Sequence, residues 1–225
     1  LLRAQTETIQ QACRDNKIWA VVGSTHSFNT AERPTNCVYI FDDGGSIVSR
    51  YDKRRCSESD LYNYTPGGAP VMFELKGVPC GVAICLESSF PDIFMDYAIA
   101  GVDLLFLSTY WAGGQGNSIH THTIPQTIQG YAFTTNLFIS VSNASSPVQA
   151  FPSFWARRSG RTGDKCRRNV TGIILSAIMD EPEKDELYSF IRRFRKGCKD
   201  GSFYEKHLTT NPCVEDRQTL GAGLE

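Results

Sequence analysis

The chain has 225 residues, with 23 basic against 24 acidic side chains and 41% hydrophobic residues. That is enough for one single-core domain, and the balanced charge gives no general attraction to nucleic acid or a membrane surface. No apolar run reaches the length of a membrane span, and no cysteine pair has the CxxC spacing of a zinc ribbon or a thioredoxin-type site.

Leu2, Ile9, Ala12 and Cys13 lie close to one helical face, which predicts an amphipathic helix over 1–15. A buried strand, Ile18 to Gly23, follows, and 24–36 reads as loop. Cys37 to Phe41 and Ser46 to Tyr51 are strands joined by Asp42-Asp43-Gly44-Gly45, a strong hairpin signal. The polar stretch 52–68, ending Thr65-Pro66-Gly67-Gly68, reads as loop. Val71 to Leu75 and the strand through Cys80 make a second hairpin around Lys76-Gly77.

Residues 80–92 organise the rest. Gly81 to Ile84 reads as a strand buried on both faces, and Cys85 ends it. Ser89, with Pro91 and Asp92 behind it, reads as a helix start. Ile93, Phe94, Tyr97 and Ala98 share one face of that helix, and Gly101 stops it. Val102 to Leu107 is the next strand. A cysteine at such a turn stands at the carboxyl end of a sheet. A helix N-terminus there lowers a thiol pKa, and the following backbone N–H groups face a developing oxyanion.

A glycine-rich loop with aromatics follows at 110–117, then a helix over 118–135 and a strand from Leu137 to Ser142. Tyr110 and Trp111 lie beyond a strand end and are candidates to line a pocket, as are Ser142, Asn143 and Ser145. A loop over 143–152 precedes two strands within 153–178, the second being Val170 to Ile178. The basic stretch between them (Arg157, Arg158, Arg161, Lys165, Arg167, Arg168) reads as a solvated hairpin. A helix over 183–196 ends in positive charge, which suits its dipole, and the tail beyond is polar. A domain over 1–180 and a C-terminal helix and tail over 181–225 are expected. His120 and His122, two apart at a helix start, point to different faces and do not suggest a metal site. The eight cysteines have irregular spacing and read as reduced thiols of a cytoplasmic protein.

Lys53 follows the second strand of the first hairpin, after Arg50-Tyr51-Asp52. It is expected at the end of a strand neighbouring that of Cys85 in one sheet, where an ammonium favours the thiolate. Glu87 is expected to brace the turn through local backbone.

These pieces resemble the nitrilase, or carbon–nitrogen hydrolase, superfamily. The matching residues are Val21-Val22-Gly23, Tyr51-Asp52-Lys53, Pro66-Gly67, Gly81-Val82-Ala83-Ile84-Cys85-Leu86-Glu87 with Phe90-Pro91-Asp92, Gly101-Val102-Asp103-Leu104-Leu105, and Asn136 to Asn143. The resemblance implies an α/β fold, a four-layer α-β-β-α sandwich that commonly pairs into a homodimer or larger homo-oligomer. It implies Cys85 as nucleophile, Lys53 as the cation beside the tetrahedral intermediate, and the Leu86 N–H as oxyanion donor. A second acid in the loop after the lysine is matched by Glu58 or Asp60. The implied reaction is hydrolysis of a non-peptide C–N bond in a small molecule, an amide rather than a nitrile. It runs through a thioester with no cofactor or metal. The family's base is a glutamate on an early strand. Counting back from Lys53 by the usual separation passes Leu1, and Glu7 falls in a helix. The N-terminal strands are therefore expected to be missing, and the alternative is a catalytically inactive binding or scaffold relative.

Overall fold

Nine strands and four helices are seen in a computed structural model that describes residues 2–28, 32–111, 119–144, 150–159 and 162–165, with Phe190, Arg193, Phe194, Gly197 and Ser202 as single positions. The chain forms two units, Leu1–Ile178 and Met179–Glu225. In the first, α1 (Leu2–Asn16) precedes β1 (Ala20–His26), β2 (Thr35–Phe41) and β3 (Ile47–Asp52). These three strands form one antiparallel sheet in the order β1-β2-β3. Then come α2 (Glu58–Asn63), β4 (Met72–Leu75), β5 (Val78–Ile84), a 3₁₀ turn (Cys85–Ser89), α3 (Pro91–Ile99) and β6 (Leu104–Ser108). Last are α4 (His120–Thr135), β7 (Phe138–Ser142), β8 (Phe154–Ala156) and β9 (Thr162–Lys165). Strands β4 to β9 form a second sheet in sequence order, with β5, β6 and β7 parallel.

Period-two alternation builds the layers. On β5, Val82 and Ile84 join Val38, Ile40 and Tyr51 of the first sheet in one buried cluster, so the two sheets stack face to face. A Cβ on Gly23 would stand 3.4 Å from Ser108 Oγ across that interface. The other face of the second sheet carries Ala83, Leu105, Leu107, Ile139 and Val141, packed on Ile93, Phe94 and Tyr97 of α3 and Ile124, Ile128 and Ala132 of α4. Helix α1 covers the first sheet, buries Cys13 and bonds to the hairpin through Gln10 Nε2 and Gly45 O, 2.9 Å apart. The order of layers is helix, sheet, sheet, helix. None of the described helices is long and apolar enough to cross a membrane.

Both predicted hairpins form. Asp42 Oδ1 accepts from the N–H groups of Gly44 and Ser46 at 2.9 and 2.8 Å, and Lys76 and Gly77 take the positive φ values a tight turn needs. Several expectations are corrected. β1 begins at Ala20 and runs through His26, into the stretch read as loop, because its full length pairs with β2. Lys17, at φ +53, ends α1 in the left-handed region and delays the strand. Residues 58–63 are helical. Ser57 and Asp60 form a capping box, a signal present in the sequence and outweighed by the local polarity. Phe90, not Ser89, is the N-cap of α3, since Ser89 is spent in the 3₁₀ turn. β8 pairs with β9 inside the expected polar stretch, while Val170 to Ile178 lies outside the described residues. Arg158 is not solvated: it is 7% exposed, paired with Asp103 and stacked 4.6 Å from the Phe138 ring centroid. In the second unit the described positions are helical, with the Phe190 and Phe194 rings stacked at 5.9 Å.

Candidate active site

Parallel pairing of β5, β6 and β7 brings their carboxyl ends to one edge of the second sheet. Cys85 follows β5, Trp111 lies just past β6, and Asn143 follows β7. Cys85 sits at φ +51, a left-handed conformation that side chains with a Cβ rarely adopt. That geometry turns the chain sharply out of the strand and lifts the thiol off the sheet, as in a nucleophile elbow. The side chain is half-buried and packs against the cluster between the sheets.

Glu87 fixes this turn and does more than brace local backbone. It is fully buried. One oxygen accepts from Ile84 N–H at 2.7 Å. The other accepts from the Tyr51 hydroxyl at 2.7 Å and from the N–H groups of Arg54 and Arg55 at 2.8 and 3.1 Å. Burial and the neighbouring carboxylate push the Tyr51 phenol far above its usual range, so it stays a donor. Tyr51 and this long reach of Glu87 were not legible in the sequence, because the two strand ends are far apart in the chain.

The strands ending at Lys53 and Cys85 belong to different sheets, contrary to expectation. Both edges of β5 are taken, by β4 and β6, which leaves β3 to approach it face to face. Lys53 is 3% exposed. Its ammonium lies 2.6 Å from Asp60 Oδ2. Backbone bonds hold it on both sides, from Lys53 N–H to Asn36 O at 2.9 Å and from Gly67 N–H to Lys53 O at 2.8 Å. A Cβ on Gly67 would fall 2.3 Å from Asp52 O, so this close approach requires glycine. Asp60 also accepts from Ser57 N–H and Ser57 Oγ, each at 2.8 Å. Burial raises the Asp60 pKa, but the bonds from Lys53 and Ser57 outweigh it and hold the carboxyl below its usual value. Glu58 is exposed and, among the described residues, meets the hydroxyl of Tyr62 at 3.4 Å. Of the two candidate acids, Asp60 is the one brought to Lys53.

The pocket candidates divide. Tyr110 is 67% exposed. Trp111 packs on the helix-side core and meets the His120 ring at 4.5 Å between centroids, tilted by 43°. Its Nε1 is buried with no hydrogen-bond partner among the described residues. The Asn143 side chain is committed to loop backbone: Oδ1 accepts from Trp111 N–H at 2.8 Å and Nδ2 donates to Phe151 O at 2.8 Å. It positions Trp111 rather than offering its own amide. Ser145 lies outside the described residues.

The described cysteines, Cys13, Cys37, Cys56, Cys80 and Cys85, are free thiols. Burial pushes Cys37 and Cys80 up to about 12 and raises Cys13 and Cys56 as well. Among the described residues no group of His, Cys, Asp and Glu is placed to hold a metal ion.

The sequence pattern of the family described as "Carbon-nitrogen hydrolase" matches residues 1–160. Among curated proteins, a "Formamidase" of Bradyrhizobium sp. (strain ORS 278) is 25% identical over 143 residues, covering 63% of this chain and 42% of that protein. "Nitrilase homolog 2" of Dictyostelium discoideum is 28% identical over 107 residues, covering 43% of this chain and 33% of that protein. The chain thus spans less than half the length of these relatives. Among solved structures, a mutant of the amidase from Nesterenkonia sp. AN1, showing Michael addition of acrylamide at its active site cysteine, superposes with a TM-score of 0.65. It is 18% identical, over 73% of this chain and 65% of that one, a likeness in fold. With the family pattern spanning helix α1 through β8, all but the last strand of the two sheets, the chain belongs to the carbon–nitrogen hydrolase family of the nitrilase superfamily.

Proposed function

We propose that this chain supplies the nucleophile and its cation to a thiol-dependent hydrolase of small amides. The observation that carries this reading is the pairing of two features. Cys85 stands in a left-handed elbow at the carboxyl end of β5, and the buried Lys53, paired with Asp60, is tied to the same turn by Glu87. The Cys85 sulfur attacks the amide carbonyl and a C–S bond forms. Lys53 and the Leu86 N–H steady the oxygen that becomes negative. The C–N bond then breaks, and the amine leaves with the proton first held by the thiol. Water cleaves the thioester in a second step. Glu87, with donors on both oxygens, is not the proton carrier, and no residue of this chain is assigned to that transfer. Curated relatives that include a formamidase and a 2-oxoglutaramate amidase support amides over nitriles.

The test is intact-protein mass spectrometry after brief incubation with a panel of small amides, nitriles and carbamoyl compounds, beside Cys85→Ala. An acyl adduct that maps to Cys85 and vanishes in the variant supports the reading, and its mass gives the acyl half. Binding of panel members with neither adduct nor ammonia release would replace it with a binding role.

A further inference from the structure

We infer that Glu87 is a positioning residue that sets Lys53 against Cys85, so that thiol reactivity depends on a carboxylate touching neither side chain; this rests on the reading above. The observation is where its four bonds go. One oxygen holds Ile84 N–H, the residue before Cys85. The other holds the N–H groups of Arg54 and Arg55, the two residues after Lys53, and the hydroxyl of Tyr51, two residues before it. The turn that carries the thiol and the strand end that carries the ammonium belong to different sheets, with no backbone ladder between them. One carboxylate spans their backbones, with one hydrogen bond on the thiol side and two on the lysine side. The three backbone partners are all donors, so the site takes a carboxylate. An amide there would set an NH₂ against an N–H and leave a buried donor unpaired. Arg54 Nε also donates to the Tyr51 hydroxyl at 3.2 Å, which keeps that ring in place.

Two effects of Glu87 on the thiol have opposite signs, and this makes the inference decidable. As a nearby negative charge, Glu87 disfavours the thiolate, so removing the charge would speed alkylation of Cys85. As the tie that holds Lys53 near the thiol, Glu87 favours the thiolate, so breaking the tie slows it. The structure assigns the larger effect to the tie, because Lys53 is buried, its backbone is held on both sides and its ammonium is held by Asp60.

The experiment measures iodoacetamide labelling of Cys85 by peptide mass spectrometry between pH 6 and 9. The proteins are the full chain, Glu87→Gln, Tyr51→Phe, Lys53→Met and the doubles with Lys53→Met. Glu87→Gln is expected to slow labelling at pH 7 by about tenfold, within the range of couplings between residues of one hydrogen-bond network. Tyr51→Phe, which keeps the charge and removes one of four bonds, is expected to slow it less. In the Lys53→Met background the slowing is expected to vanish for both changes, leaving in Glu87→Gln only the faster labelling that loss of its charge gives. Faster labelling in Glu87→Gln with Lys53 in place overturns the inference. So does the same slowing with and without Lys53, or a Lys53→Met rate equal to that of the unaltered chain. Where thermal melts show that Glu87→Gln does not fold, Tyr51→Phe carries the same comparison. Labelling needs no substrate, so failure to form an acyl adduct refutes the amidase reading and leaves this outcome readable.

Discussion

Asp60→Ala tests the ion pair on which the candidate site depends. It removes the carboxylate 2.6 Å from an ammonium whose side chain is 4% exposed. Removing one partner of a fully buried pair costs about 3–5 kcal/mol, mostly from the stranded charge. Asp60 retains 16% side-chain exposure, so water reaches the vacated position and the cost falls to about 2 kcal/mol. The substitution also removes the bond from Ser57 N–H to Asp60, half of the capping box, worth about 1 kcal/mol. The expected loss is about 3 kcal/mol in all, read from urea unfolding followed by tryptophan fluorescence. In a Lys53→Met background no charge is stranded, and the same change should cost only the Ser57 N–H bond, about 1 kcal/mol. Glu58→Ala, at an exposed position, should move the midpoint little. Equal cost of Asp60→Ala with and without Lys53 would refute the ion pair, and a larger cost for Glu58→Ala would transfer the role to Glu58.

The same pair predicts a pH dependence. The Asp60 carboxyl sits lower in the folded chain than in the unfolded one. Its contribution is therefore complete above the unfolded value of about 3.9 and is lost as pH falls through the folded value. Urea midpoints measured from pH 6 down to 2 should fall more steeply for the unaltered chain than for Asp60→Asn, and the two curves should converge at the acid end. Gly81→Ala should destabilise by overpacking. Its Cβ would meet the Tyr97 ring at 2.7 Å, and that ring is held by the Tyr97 hydroxyl donating to Val82 O at 2.8 Å. A cost of about 1–3 kcal/mol, or roughly 2–4 °C of melting temperature per kcal/mol, should appear in a thermal melt and shrink in the Tyr97→Leu background; an unchanged melt would contradict the close approach.

Local chemistry wrote much of this fold into the sequence. The alternation and turn residues of Cys37 to Tyr51 define a hairpin whatever surrounds it. The unbroken apolar run Gly81 to Ile84, ended by Cys85, announces a strand buried on both faces with a reactive side chain at its end. The order of lysine strand, Pro-Gly and cysteine turn pointed to the family. Each of these signals is read within about ten residues, the range over which propensity and periodicity act.

Only the tertiary structure decided which strand ends meet. Lys53 and Cys85 were expected in one sheet, and stacking of two sheets placed them in different ones. Choosing Asp60 over Glu58 required the direction of each carboxylate on α2, because spacing from Gly67 favoured Asp60 while residue type favoured Glu58. The Asn143 amide proved to be spent on loop backbone. Glu87, two residues from Cys85, serves a strand more than thirty residues earlier in the chain. A buried carboxylate must find its donors wherever packing brings them, and packing between sheets leaves no periodic trace in a sequence.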